Sequence, residues 1–348
     1  MQIFRGMLLS YLRKNGDDIH VLAPIDGDTA FFDSNGIRII DSPIDRRGIN
    51  PIKDFKLFKL YLKTANNINP DMIVTYTIKP NVYGGLVSRI KKVPYAANIT
   101  GLGTAFENKG VISFIAKNLN RIALKNAKVV FFENTFNRDY FVNNRIVRET
   151  QTHVLNGAGV DLERHALRAY PNNKVFKFLF IGRIMREKGI EELFEAMKLL
   201  KEHDKKCCLE LVGWLEEDYE KTISNYEKEG WLNYRGVQDD VRPFIESADC
   251  FVLPSWHEGM ANTNLEAAAC GRPVITSNIP GCQEAVVDGV SGLLCERKNA
   301  NSLFSVMNKM IDLPIKERIQ MGLAGREHME KQFDKKEVVL ETVKKLLG

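Results

Sequence analysis

The chain has 348 residues, 44% hydrophobic and 27% charged, which is long for one core and suits two soluble globular domains. No apolar run reaches the roughly 18–20 residues of a membrane-spanning helix, and the N-terminus lacks a signal peptide's apolar segment, so a cytoplasmic location is expected. The net charge of +5 hides an asymmetry: 24 Lys+Arg face 15 Asp+Glu in residues 1–170, and 25 face 29 in residues 171–348.

MQIFRGMLLSYLRKNGDD predicts an opening amphipathic helix, with Ile3, Met7, Leu8 and Leu12 at helical spacing and Gly16 as its stop. A doubly wound domain ordinarily begins on a strand that becomes central in its sheet, so the first strand of the N-terminal domain is expected to be missing. Strand-like runs rich in β-branched residues follow: IHVLAP (19–24), IRIID (37–41), MIVTYT (72–77), YAANIT (95–100), VVFFEN (129–134) and HVLN (153–156). The second half repeats the pattern with FKFLFIG (176–182), CLELVG (208–213), LNYRG (232–236), CFVLPS (250–255), PVITS (273–277) and GLLC (292–295). Helix-period segments at 51–68, 80–92, 112–126, 189–202, 262–271 and 299–311 fall between them. This alternation implies an α/β protein with two parallel sheets covered by helices on both faces. The polar stretch 168–174, with Pro171, is the expected linker, dividing residues 1–168 from 172–332, and a last helix (333–348) is expected to pack back toward the first domain. All six cysteines lie in the second half without C-x-x-C spacing, which predicts reduced, buried thiols.

In open parallel sheets, ligands bind where strand ends lead into helix N-termini. After FKFLFIG, Gly182 ends the strand, and Arg183 and Lys188 bracket a helix entry. Two cations beside helix N–H groups form an anion site, although solvated charges capping a surface helix look the same locally. After CFVLPS, the stretch HEGMANTNLEAAACG places Glu258 on a loop and Glu266 eight residues on, inside a helix that Asn262 or Thr263 can cap. A carboxylate accepts two hydroxyls well, so a pair flanking a phosphate site suits a nucleoside diphosphate sugar. Helix-start electrostatics alone is the plainer account of two glutamates at this spacing.

The two loops together resemble glycosyltransferase family 4, of GT-B fold. The likeness extends to Gly271-Arg272-Pro273-Val274, Gly213, Gly236 in YRGVQDDV, GCQEAVVDGVSGLL (281–294) and NGAGVDLERH (156–165). FRGMLL and NITGLGTAFENKG (98–110) are similar to the bacterial subgroup that extends lipid-linked oligosaccharides in glycoprotein, capsule or O-antigen synthesis. The resemblance implies a retaining transfer, without a metal or other cofactor, of an N-acetylhexosamine or hexose from a UDP-sugar to an undecaprenyl-diphosphate-linked glycan. It also implies that Arg183 and Lys188 hold the diphosphate and Glu258 meets the sugar hydroxyls. The backbone from Gly259 through Met260, Ala261 and Asn262 to Thr263 would run along sugar and phosphate, with Gly182 and Gly213 at neighbouring strand ends. Glu266 would accept the ribose hydroxyls, and Gly236 and Val237 would meet the base. Arg5, Gly6, Thr100, Gly101, Leu102 and Gly103 would lie on the acceptor side; Thr100 stands where many members carry a histidine.

The basic first half suits an anionic membrane, giving peripheral attachment to the inner face of a bacterial plasma membrane, or simply a basic surface without a partner. With no aromatic-interleaved groove, nucleic acid is set aside. Asp26-Gly27-Asp28 reads as a turn rather than a metal motif. Two other readings stay open: a non-hydrolysing UDP-sugar 2-epimerase, and a truncated paralogue that binds donor without transferring it.

Overall fold

The computed structural model describes residues 2–25, 27, 29–44, 50–101 and 110–348. The chain forms two compact units, one of residues 1–158 with 336–348, the other of residues 159–335. Among the described residues no helix is long and apolar enough to cross a membrane.

The first unit opens on α1 (Gln2–Lys14), then β1 (His20–Ala23), the short α2 (Ala30–Ser34) and β2 (Arg38–Asp41). It continues with α3 (Pro51–Ile68), β3 (Ile73–Tyr76), α4 (Ile78–Lys91), β4 (Tyr95–Ile99), α5 (Val111–Leu124), β5 (Val129–Phe132), α6 (Thr135–Asn143) and β6 (Thr152–Val154). The helix α3 shows how local chemistry sets an element: Asn50 accepts from the N–H groups of Ile52 and Lys53, Pro51 sits in the first turn, and left-handed Asn69 closes the end. All strand pairs are parallel, but they form two sheets, β1-β2 and β3-β4-β5-β6. The break between β1 and β3 falls where a doubly wound sheet would hold its central strand. Leu22 of β1 and Ile73 of β3 still share one cluster with Leu57, Tyr61 and Val87 of the covering helices.

The second unit carries β7 (Phe176–Ile181), α7 (Ile190–Glu202), β8 (Cys207–Val212), α8 (Glu220–Lys228), β9 (Leu232–Tyr234), α9 (Arg242–Ser247) and β10 (Cys250–Leu253). After these come α10 (Asn262–Ala269), β11 (Val274–Ser277), β12 (Gly292–Cys295), α11 (Ala300–Asp312) and α12 (Ile315–Gln332). Its six strands form one parallel sheet in the order β12-β11-β10-β7-β8-β9. Central β7 is buried on both faces, with Phe178, Leu179 and Phe180 fully enclosed, as a parallel sheet between helix layers requires. The six cysteines are free, and all but Cys208 are buried.

The division between units falls at Ala158/Gly159, not in the polar stretch 168–174. Buried contacts tie that stretch to the second unit. The Tyr170 hydroxyl donates to Asp249 O at 2.8 Å, and Asn173 Nδ2 donates to the Asp249 carboxylate. The fully buried Arg272 guanidinium donates to the carbonyls of Arg168 and Ala169. The final helix, α13 (Lys335–Leu347), belongs largely to the first unit: Val339 and Val343 pack with Leu8 of α1, and Leu346 packs with Ala96 and Phe131 of the sheet.

Candidate active site

At the carboxyl ends of β7, β8 and β9 the backbones close on one another. Gly213 adopts φ +138°, and a Cβ there would lie 1.8 Å from the carbonyl oxygen of Gly182, so only glycine fits. Its N–H donates to Gly236 O at 2.8 Å. Val237, next in line, is exposed.

The loops after β7, β10 and β11 are bound to each other. Trp256 N–H donates to Glu187 O, and Ala261 N–H donates to Gly281 O at 2.7 Å. A Cβ on Gly281 would lie 2.6 Å from Glu258 O and 2.7 Å from Gly259 O. This backbone holds Lys188 against Glu258: the ammonium pairs with carboxylate Oε1, and both side chains are mostly buried. Ser255 Oγ donates to the same oxygen at 2.8 Å. His257 pairs with Glu187 at 3.4 Å and so belongs to the loop scaffold. Arg183 is half-buried and has no hydrogen bond or ion pair among the described residues.

The helix α10 begins at Asn262, so its N-cap is Ala261, which carries no capping side chain. The expectation that Asn262 or Thr263 caps the helix is therefore corrected: both lie inside its first turn. The N–H groups of Met260, Asn262 and Thr263 have no partner among the described residues, and neither does the buried Asn262 Oδ1. The side chains of Met260 and Ala261 belong to the hydrophobic core, which leaves their backbone as the part a ligand can reach.

Four residues into α10, burial raises the Glu266 carboxyl to about 7, against a smaller opposing pull from Lys335 and Arg164. Its neutral form thus stabilises the fold; that contribution is complete below the ordinary value of 4.5 and is lost as pH rises through about 7. Glu266→Gln, neutral throughout, is expected to exceed the wild type in ligand-free stability by roughly 3 kcal/mol at pH 8. The gap should close near pH 4, and unfolding curves across that range check it. Neighbouring His165 is pushed down to about 4, mainly by burial.

Sequence reasoning does not single out Ser255 or Glu284. The Glu284 carboxylate accepts from Gly281 N–H at 2.7 Å, and burial raises its pKa. The signal for each was its place, Ser255 closing the strand-end run CFVLPS and Glu284 three residues after Gly281.

In the first unit, the ends of β3 and β4 form a pocket lined by Thr77, Asn81, Ile99, Thr100, Gly101 and Asn120, among others. A buried network builds its floor. Asn81 Nδ2 donates to Asn98 O at 2.9 Å, Tyr95 OH donates to Asn81 O at 2.7 Å, and Thr75 Oγ1 donates to Asn81 Oδ1. Thr77, a β-branched residue, is held at φ +70°, a strained conformation that this network sustains. Arg5 lies outside that lining: it pairs with Glu133 at 3.2 Å and covers the Tyr76 ring. Gly6 faces Phe31, with room for a Cβ only at 3.2 Å. Leu102 and Gly103, like Asp26 and Asp28, lie outside the described residues.

Two family models match: "Glycosyl transferase 4-like" over residues 2–134 and "Glycosyl transferases group 1" over residues 165–328. Residues 165–328 thus form a group 1 glycosyltransferase domain and residues 2–134 a glycosyl transferase 4-like domain, and the chain has the GT-B fold. This glycosyltransferase is 28% identical over 338 residues to the N,N'-diacetylbacillosaminyl-diphospho-undecaprenol alpha-1,3-N-acetylgalactosaminyltransferase of Campylobacter jejuni, covering 92% of this chain and 88% of that one. It is 27% identical to the UDP-Gal:alpha-D-GlcNAc-diphosphoundecaprenol alpha-1,3-galactosyltransferase of Escherichia coli, covering 85% and 80%. Among solved structures, Anabaena Alr3699/HepE in complex with UDP and glucose superposes with a TM-score of 0.80 at 19% identity, covering 99% of this chain and 95% of that one. The chain is also 24% identical to the capsular polysaccharide biosynthesis glycosyltransferase CapM of Staphylococcus aureus, covering 95% of this chain and 90% of that one.

Proposed function

We propose that the enzyme is a retaining transferase. It would move an N-acetylhexosamine or hexose from a UDP-sugar to an undecaprenyl-diphosphate-linked glycan at the inner face of the plasma membrane. The observation that carries this is the pairing of Lys188 with Glu258 on the loops that lead to the uncapped start of α10. Arg183 and Lys188, with the free N–H groups of Asn262 and Thr263, make a diphosphate site. An ammonium has three donors, so Lys188 can hold Glu258 and a phosphate oxygen together. Glu258 orients the sugar hydroxyls and supports positive charge at C1, and Glu266 accepts the ribose hydroxyls.

In the transfer, the bond from C1 to the diphosphate breaks while the acceptor oxygen bonds on the same face. The acceptor proton passes to the departing phosphate oxygen. Cations and helix N–H groups stabilise the charge that develops on the diphosphate, so the protein itself supplies what a metal supplies elsewhere. The acceptor assignment is supported by the activities of the C. jejuni and E. coli relatives, both of which act on diphospho-undecaprenol carriers.

A thermal-shift screen of nucleotide sugars tests the donor: a UDP-sugar at 100 times its Kd is expected to add about 2.7 kcal/mol to stability, and other nucleotides less. Transfer in EDTA should match transfer with added magnesium, and the product's anomeric coupling should report retention. Free UDP should appear only when acceptor is supplied; release without acceptor favours an epimerase and overturns the proposal.

A further inference from the structure

We propose that the outer face of α5 seats the first unit on an anionic phospholipid bilayer. This rests on the proposal above that transfer takes place at a membrane, and it assigns the contact to one helix.

At 3.6 residues per turn, Phe114, Ile115, Leu119 and Ile122 fall within one arc of about 140°. All four are exposed, Phe114 by 68% and Ile115 by 50%. The other side of the helix is committed to the fold: Ser113, Asn120, Ala123 and Leu124 are buried. A Cβ on Gly85 of α4 would lie 2.6 Å from the Ala123 carbonyl, so the two helices touch backbone to backbone. The apolar arc is therefore surplus to the unit's own core.

Its surroundings select the partner. Neither α4 nor α5 contains an acidic residue, and α3, packed beside α4, has Asp54 alone. That carboxylate is paired with Lys79 at 2.7 Å. Basic side chains recur along all three helices. Arg121 sits at one edge of the apolar arc, and exposed Arg89 and Lys92 mark the end of α4. Apolar side chains ringed by cations, with almost no acid, match the boundary between acyl chains and anionic headgroups. Asn120, on the opposite side of the same helix, lines the Thr77–Asn81–Thr100 pocket, so α5 stands between that pocket and the surface proposed for the membrane.

The test is vesicle flotation of the full chain with phosphatidylglycerol-containing or pure phosphatidylcholine vesicles. The wild type is compared with the triple variant Phe114→Ser, Ile115→Ser, Ile122→Ser, and circular dichroism and melting serve as fold controls. The wild type should float with anionic vesicles, less so at high salt. The triple variant should lose at least about tenfold in partitioning, with an unchanged fold. Equal flotation of both proteins overturns the assignment of α5 and leaves the membrane proposal standing; no flotation of the wild type overturns both. A dimer that the triple variant disrupts without loss of flotation shows that a second copy covers this face, and also overturns it. Should the triple variant not fold, Phe114→Trp decides: its added emission should shift to the blue on anionic vesicles, and an unshifted spectrum refutes the contact.

Discussion

Glu258→Gln and Lys188→Ala are each expected to lower kcat by roughly 10²–10³ while the protein stays folded. Both residues sit in one buried pair at the strand ends, with Ser255 as the third partner. In the proposed transfer, removing Lys188 would take a cation from the departing diphosphate and also free the Glu258 carboxylate to rotate. Removing the Glu258 charge would leave Lys188 without its anchor and, on the same proposal, the reacting carbon without charge support. Each single variant strands a mostly buried charge, so each should also melt lower than the wild type. The double variant Lys188→Met, Glu258→Met should recover part of that stability and none of the activity. Ser255→Ala, which loses one charge-assisted hydrogen bond to the Glu258 carboxylate, should cost roughly 10–10²-fold. Donor-dependent product formation and thermal melts measure all four. Turnover within threefold of wild type in either single variant would remove both residues from the catalytic assignment.

The largest expected effect on stability belongs to Arg272. Its guanidinium is fully buried and meets five backbone carbonyls, the shortest contacts being Ala169 O at 2.7 Å and Ile245 O at 3.0 Å. It therefore ties the segment 168–169 and the end of α9 to the turn before β11. Burial pushes its pKa down, yet the carbonyl oxygens and the Tyr170 ring beneath it keep a cation in place. Arg272→Met fills similar volume but leaves those carbonyls without donors, at a cost of roughly 3–5 kcal/mol. Arg272→Lys should recover little, because three donors on one nitrogen cannot span the carbonyls a planar fork reaches. Urea unfolding of the full chain measures the loss, and a change below about 1 kcal/mol would contradict this account.

Most strands were legible because a parallel sheet covered on both faces needs continuous β-branched and aromatic runs, and each expected run contains one. The helix α12 was not legible. Its sequence, IKERIQMGLAGREHMEKQ, shows few apolar positions and two glycines that read as breakers. In the structure those glycines are its contact: a Cβ on Gly322 would lie 2.1 Å from Gly271 O, and Gly325 faces Ala268. The unit boundary was misplaced for a related reason, since the polar stretch 168–174 looks like a linker until Arg272, about 100 residues later, is found inside it.

The sequence by itself determined which residue types stand at each strand end: glycines where backbones must meet, cations before a helix, carboxylates around a small-residue loop. These are local matters of periodicity, turn chemistry and charge. The tertiary structure alone decided that Lys188 and Glu258 touch, that Glu266 is buried enough to hold its proton toward neutrality, and that the strands of the first unit divide into two sheets. It also decided that one side of α5 is left exposed. Each of these depends on strand order and on which helix covers which face. A local pattern cannot carry that order, because the same periodicity serves a strand wherever it lies in the sheet.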